Sequence, residues 1–222
     1  MNREFYKDDR YFEDYIICQN KRIEKFTDTL NKLGEGDSTK TAQCQRYLAN
    51  FNRDLMSAKY SIGASRQEVQ KLYMKYLEAV KNSSVADYAE MVDILSLAIL
   101  LDVSIENIEC VLKNTAFDAD ALVSVLKNII QKKDLATESD DLLFSEIYGV
   151  FYQYIRGNVD KGKFLKYMEE EWYDSCKNFS WYDSHKSAEN VYVGYWSWLA
   201  GAVLKMNTII VTDRRYIPCD LL

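Results

Sequence analysis

Residues 12–34, FEDYIICQNKRIEKFTDTLNKLG, decide the fold class. Phe12, Ile16, Ile23, Phe26, Leu30 and Leu33 recur at spacings of three, four and seven, so one apolar stripe runs down a helix whose other faces are charged. Gly34 stands where a left-handed residue would end that helix. The polar run GEGDST follows, and Cys44, Leu48, Phe51, Leu55, Ala58 and Ile62 then repeat the pattern up to Gly63. Two long helices folded back as an antiparallel hairpin are the expectation.

The same period continues down the chain. Ser65 with Glu68, and Ser84 with Asp87, have the spacing of capping boxes, in which a hydroxyl and a later carboxylate satisfy first-turn amides. Ser104 opens a short helix to Leu112, and Asp118 is expected to cap one that buries Leu122, Val123, Leu126 and Ile130. After the polar loop KKDLATESDD, a seventh helix carries Leu143, Ile147, Phe151, Tyr154 and Ile155 and ends at Gly157. An eighth carries Phe164, Met168, Trp172 and Cys176, and a last one Tyr192, Tyr195, Trp196, Leu199 and Val203. The run TIIVT is too short and isolated to make a sheet. With one proline and eight glycines there are few breakers, so the fold class is all-α, a multi-helix, bundle-like fold of two packed helical halves. We place the boundary at 113/114, giving domains 1–113 and 114–222.

The hydrophobic share, 48% of 222 residues, suits a sizeable core and argues against disorder. A net charge of −6 disfavours a surface that tracks phosphate and favours a basic protein partner over direct nucleic-acid binding. Residues 1–12 mix charges and aromatics, unlike an export signal, so a cytoplasmic location is expected. The longest apolar run, Met91 to Val103, is broken by Asp93 and Asp102 and falls short of the ~20 residues of a membrane span. It reads as a buried helix. Five scattered cysteines lack the paired spacing of zinc or redox sites and are expected to be reduced.

The chemistry inventory is thin. The single histidine, His185, cannot supply a triad with visible partners, and there is no glycine-rich phosphate cradle and no zinc-binding helix motif. No cofactor and no metal are expected, and the chain reads as a binder rather than an enzyme. Two carboxylate groups stand out: Asp140 and Asp141 with Glu146, and Glu169, Glu170 and Glu171 with Asp174. Consecutive carboxylates fan around a helix by about 100° each instead of converging on one ion. A solvated or partner-binding face is therefore favoured over a magnesium-dependent hydrolase, which remains one competing reading. The other is a helical adaptor or regulatory protein, with a homodimer formed through the first hairpin. Tyrosines 11, 15, 47, 73 and 76 lie on or beside apolar stripes and read as packing residues.

Three aromatic motifs recur in order in the C-terminal third: Trp172-Tyr173, then Trp181-Tyr182-Asp183-Ser184-His185-Lys186, then Tyr192-Val193-Gly194-Tyr195-Trp196-Ser197-Trp198. With the tail Tyr216-Ile217-Pro218-Cys219-Asp220-Leu221 and the run Ser96 to Asp102, they resemble the PoNi immunity proteins in both halves of the chain. Leu199, Ile217 and Cys219 depart from the family's pattern. The resemblance implies an all-helical protein that neutralises a PoNe-type DNase toxin, a nuclease of the PD-(D/E)xK superfamily delivered between competing bacteria. It also implies that Trp172, Trp181, His185, Tyr195, Trp196, Trp198, Tyr216 and Pro218 form a scaffold. His185 and Tyr216 are expected near the 195–198 segment. Among the exposed acidic residues, Asp140, Asp141, Glu169, Glu170 and Asp174 are the candidates for toxin contact.

Overall fold

A computed structural model describes residues 3–33, 38–212 and 214–222, so Gly34 and its expected role as a helix terminator lie outside the described residues. Ten α-helices and two short 3-10 turns, and no strand, are found among the described residues. The all-α expectation holds, and the run at 208–212 makes no strand. The helices form two compact units. One comprises residues up to Val85 together with Asp183–Tyr195, and the other comprises Ala86–Tyr182 with Trp196–Leu222.

In the first unit, α1 (Asp9–Lys32) and α2 (Ser38–Ser61) run antiparallel, as the hairpin reading expects. Gln19 Nε2 donates to the Phe51 carbonyl at 3.1 Å, and Phe26 packs on Tyr47 at 5.0 Å, so positions rise on one helix as they fall on the other. The third helix, α3 (Arg66–Ser83), returns along α2, and Arg46 near the start of α2 donates to the Ser84 carbonyl at the end of α3. Its start is the expected capping box, with Ser65 and Glu68 each satisfying the other's amide. Phe12, Tyr73 and Tyr76 are fully buried, and each such side chain contributes roughly 1.5–3 kcal/mol by leaving water. Segment 183–195 completes this unit, tied in by Ser61 Oγ donating to the Val193 carbonyl at 2.9 Å.

The second unit is built around α4 (Tyr88–Leu100), which packs on α6 (Ala121–Ile130) and α10 (Trp198–Met206). Lys205 donates to the carbonyls of Ile99 and Leu100 and pairs with Asp102 at 2.6 Å, satisfying orphan carbonyls at the end of α4. Gly201 lets that end approach, since a Cβ there would meet Leu100 at 3.0 Å and Pro218 at 2.7 Å. Around this lie α5 (Ile105–Leu112), α7 (Ser145–Ile155), α8 (Lys161–Glu170) and α9 (Trp172–Ser175). Phe164 of α8 stacks on Tyr154 of α7 with ring centroids 4.5 Å apart, and Tyr167 donates to the Ile147 carbonyl at 2.9 Å.

Several local expectations are corrected. The cap of α4 is Asp87, which accepts from the Glu90 amide, whereas Ser84 closes α3 in a left-handed conformation, φ 68°. The cap of α6 is Asp120, and Asp118 instead takes the ammonium of the buried Lys127. The eighth helix is interrupted at Glu171, although Phe164, Met168, Trp172 and Cys176 are all buried as its stripe requires. The last helix begins at Trp198, so Tyr192, Tyr195 and Trp196 precede it in irregular chain. Leu143 lies before α7 and is exposed rather than on its buried side. Between α5 and α6, Lys127 also donates to the Asn114 carbonyl.

Candidate functional site

The five acidic candidates are exposed and occupy two places within the second unit. Asp140 and Asp141 lie on the segment that leads into α7. That segment is fastened by one buried carboxylate. Asp120 Oδ1 accepts from the Val123 amide and from Tyr88 Oη, both at 3.0 Å, while Oδ2 accepts from the Leu143 amide at 2.8 Å. The Asp141 carbonyl accepts from the Ala121 amide at 2.9 Å, and Asp140 accepts from Tyr152 Oη. Burial, with Asp120 beside it, pushes the Tyr88 phenol far above its ordinary range, so it remains a donor. The backbone of 141–143 is thereby held on the first turn of α6.

The side chains on this segment point outward. Leu143 is 59% and Phe144 is 41% exposed, and Phe144 rests on the buried Tyr88 ring at 5.1 Å. Residues 138–146 carry Glu138, Asp140, Asp141 and Glu146 and no Lys or Arg. None of these four carboxylates forms an ion pair among the described residues.

The second place is different. Glu169 pairs with Arg214 at 3.2 Å, Glu170 with Lys166 at 3.7 Å, and Asp174 accepts from Tyr182 Oη at 3.2 Å. The large apolar rings beside them face inward or lie against one another. Trp172 is buried and packs on Tyr216 at 5.1 Å, Trp181 stacks on Phe179 at 5.5 Å, and Tyr173 lies parallel to Tyr216 at 5.5 Å. No three His, Cys, Asp or Glu side chains gather around a common point among the described residues.

The motif residues are divided between the two units. In the first, the His185 ring stacks on Tyr6 at 4.0 Å, and its Nδ1 lies 2.8 Å from Tyr195 Oη. Glu4 accepts from Tyr192 Oη and from the Tyr195 amide, and Tyr11 Oη accepts from the Tyr192 amide at 2.9 Å. Burial lowers the His185 pKa, with Lys186 and Lys7 acting the same way and Asp183 and Glu4 opposing. In the second unit the Ser197 amide donates to the Tyr216 carbonyl at 2.8 Å, Trp198 and Pro218 are buried, and Trp196 is half-buried. Sequence reasoning missed Leu143 and Phe144 as surface residues and Asp120 as the group that positions them.

All five cysteines are unpaired thiols, and burial pushes that of Cys176 up to about 12, away from thiolate chemistry. Among the described residues no helix is long and apolar enough to cross a membrane. Two family descriptions match the chain: PoNe immunity protein (PoNi), N-terminal, over residues 3–113, and PoNe immunity proteins (PoNi), C-terminal, over residues 118–221. No curated protein and no solved structure matches.

Proposed function

The chain belongs to the PoNe immunity protein family, PoNi, and from that premise we propose that it binds a cognate PoNe DNase toxin and holds it inactive. The observation that carries the reading is the match of both family halves, which together span residues 3–113 and 118–221. The toxin is a nuclease of the PD-(D/E)xK class, and the encounter takes place in the cytoplasm. We take 1–113 and 114–222 as the two halves of the sequence, and segment 183–195 of the second belongs to the compact unit built mainly from the first.

Inhibition needs occupancy rather than a chemical step. A DNase must present positive potential to phosphate, and a folded partner with net charge −6 is attracted to the same face before DNA reaches it. Exposed carboxylates supply the complementary charge, and of the candidates Asp140 and Asp141 have no ion-pair partner among the described residues, whereas Glu169 and Glu170 are paired with Arg214 and Lys166. The aromatic motif residues hold the scaffold.

The test is cleavage of plasmid DNA by the purified nuclease domain encoded beside this chain. Equimolar addition of this protein should abolish cleavage, and the protein alone should leave DNA intact. Full nuclease activity in a molar excess of the protein would refute the reading.

A further inference from the structure

Resting on that reading, we infer that segment 138–146 is the surface that seats on the toxin. Leu143 and Phe144 are its apolar anchors, and the carboxylates of Glu138, Asp140, Asp141 and Glu146 form its rim. Its occupant is the cationic, DNA-binding face of the nuclease.

Three observations lead there. First, Leu143 and Phe144 are the one adjacent pair of exposed large hydrophobic residues among the described residues; the other exposed ones stand singly. Neighbouring large apolar side chains left in water mark an interaction surface when polar groups ring them, and single ones do not. Second, the ring here is of one sign. Four carboxylates with no ion-pair partner among the described residues flank the pair along the segment, so their charge is available to a partner. A nuclease that holds phosphate has the opposite potential on the face it uses for DNA.

Third, the anchors are already in place. The Leu143 amide is taken by Asp120 and the Asp141 carbonyl by Ala121, so little backbone freedom remains to be lost on docking. An apolar anchor inside a charged rim is the arrangement in which binding energy concentrates at interfaces. Glu169 and Glu170 lack both features, since each has a cation of its own and no large hydrophobic residue of 161–182 is exposed. The apolar groove along Ile99, Val103, Ile105 and Ile130 also lacks the charge signal, because Lys205 pairs with the Asp102 carboxylate on its edge and Lys132 lines it.

Binding kinetics on the immobilised nuclease domain, at low and moderate salt, test this. Leu143→Ala should dissociate at least about tenfold faster, and Asp141→Lys with Glu146→Lys should associate about tenfold more slowly at low salt with a flatter salt dependence. Glu169→Lys with Glu170→Lys should bind within about twofold of wild type. Because Leu143 is largely in water, its variant should unfold thermally like wild type, which separates lost binding from lost folding.

If wild type binds and blocks cleavage while the Leu143 and the Asp141/Glu146 variants bind within about twofold of it, this surface is wrong and the immunity reading stands. If wild type neither binds nor inhibits, the reading itself fails and takes the inference with it. A wild-type dimer that Leu143→Asp dissociates, with toxin binding unchanged, would give the face to a second copy of this chain and overturn the assignment.

Discussion

Segments 138–146 and 161–174 both look acidic in the sequence, and the structure treats them in opposite ways. The first holds four carboxylates without a base, while the second sets Lys161, Lys163 and Lys166 ahead of its four carboxylates and borrows Arg214. In the first, the apolar residues Leu143 and Phe144 face water and the polar group Asp120 is buried beneath them. In the second, Phe164, Met168 and Trp172 are buried and Glu169 and Glu170 outside are paired with Arg214 and Lys166. One region is a helix face with an ordinary solvated exterior. The other is an irregular segment whose backbone is fixed from below and whose carboxylates have no ion-pair partner among the described residues. A count of negative charge does not separate the two, but the location of the apolar side chains does.

The comparison is broken most severely by removing what fixes the first segment. Asp120→Ala deletes a helix cap and leaves Tyr88 and the Leu143 amide without their acceptor, which should cost about 3 kcal/mol by denaturant unfolding. It should also loosen 139–144 and weaken toxin binding. Leu143→Asp comes next, with about 2 kcal/mol lost from binding and little from folding, read by calorimetry against the nuclease domain. Glu169→Lys is the control. It replaces an exposed ion pair by a repulsion with Arg214 and should change stability by no more than about 0.5 kcal/mol.

The smallest effect separates scaffold from contact. The folded pKa of His185 lies below the unfolded value, so the unfolded chain takes up the proton first. Its contribution to stability is therefore kept above the unfolded pKa of ~6.5 and lost as pH falls from there through the folded value. Thermal melts over that window should show the loss in wild type and not in His185→Gln. The rate of association with the toxin should be the same for both proteins. A slower rate for the variant would place His185 in the contact.

Most helices were legible because burial imposes their period, and α1, α2 and the Ser65–Glu68 start of α3 follow from spacing alone. The apolar residues Tyr192, Tyr195, Trp196, Leu199 and Val203 have that spacing as well, yet only Leu199 and Val203, which follow Trp198, are helical. Before it, the amides of Tyr192, Tyr195 and Ser197 are taken by Tyr11, Glu4 and the Tyr216 carbonyl, and Gly194 adopts φ 103°. Those acceptors are remote in the chain, so no local pattern announces them. The same applies to Leu143. Its spacing to Ile147 and Phe151 is helical, but its amide goes to Asp120, whose role could not be told from that of Asp118 two residues earlier.

The central claim is that the toxin seats on 138–146, and hydrogen exchange tests it without any substitution. Amide exchange should be compared for the chain alone and in complex with the purified nuclease domain. The account predicts slowed exchange across 138–146 and unchanged exchange across 169–174. Protection confined to 169–174, or to another surface, with 138–146 exchanging as in the free chain, would contradict it.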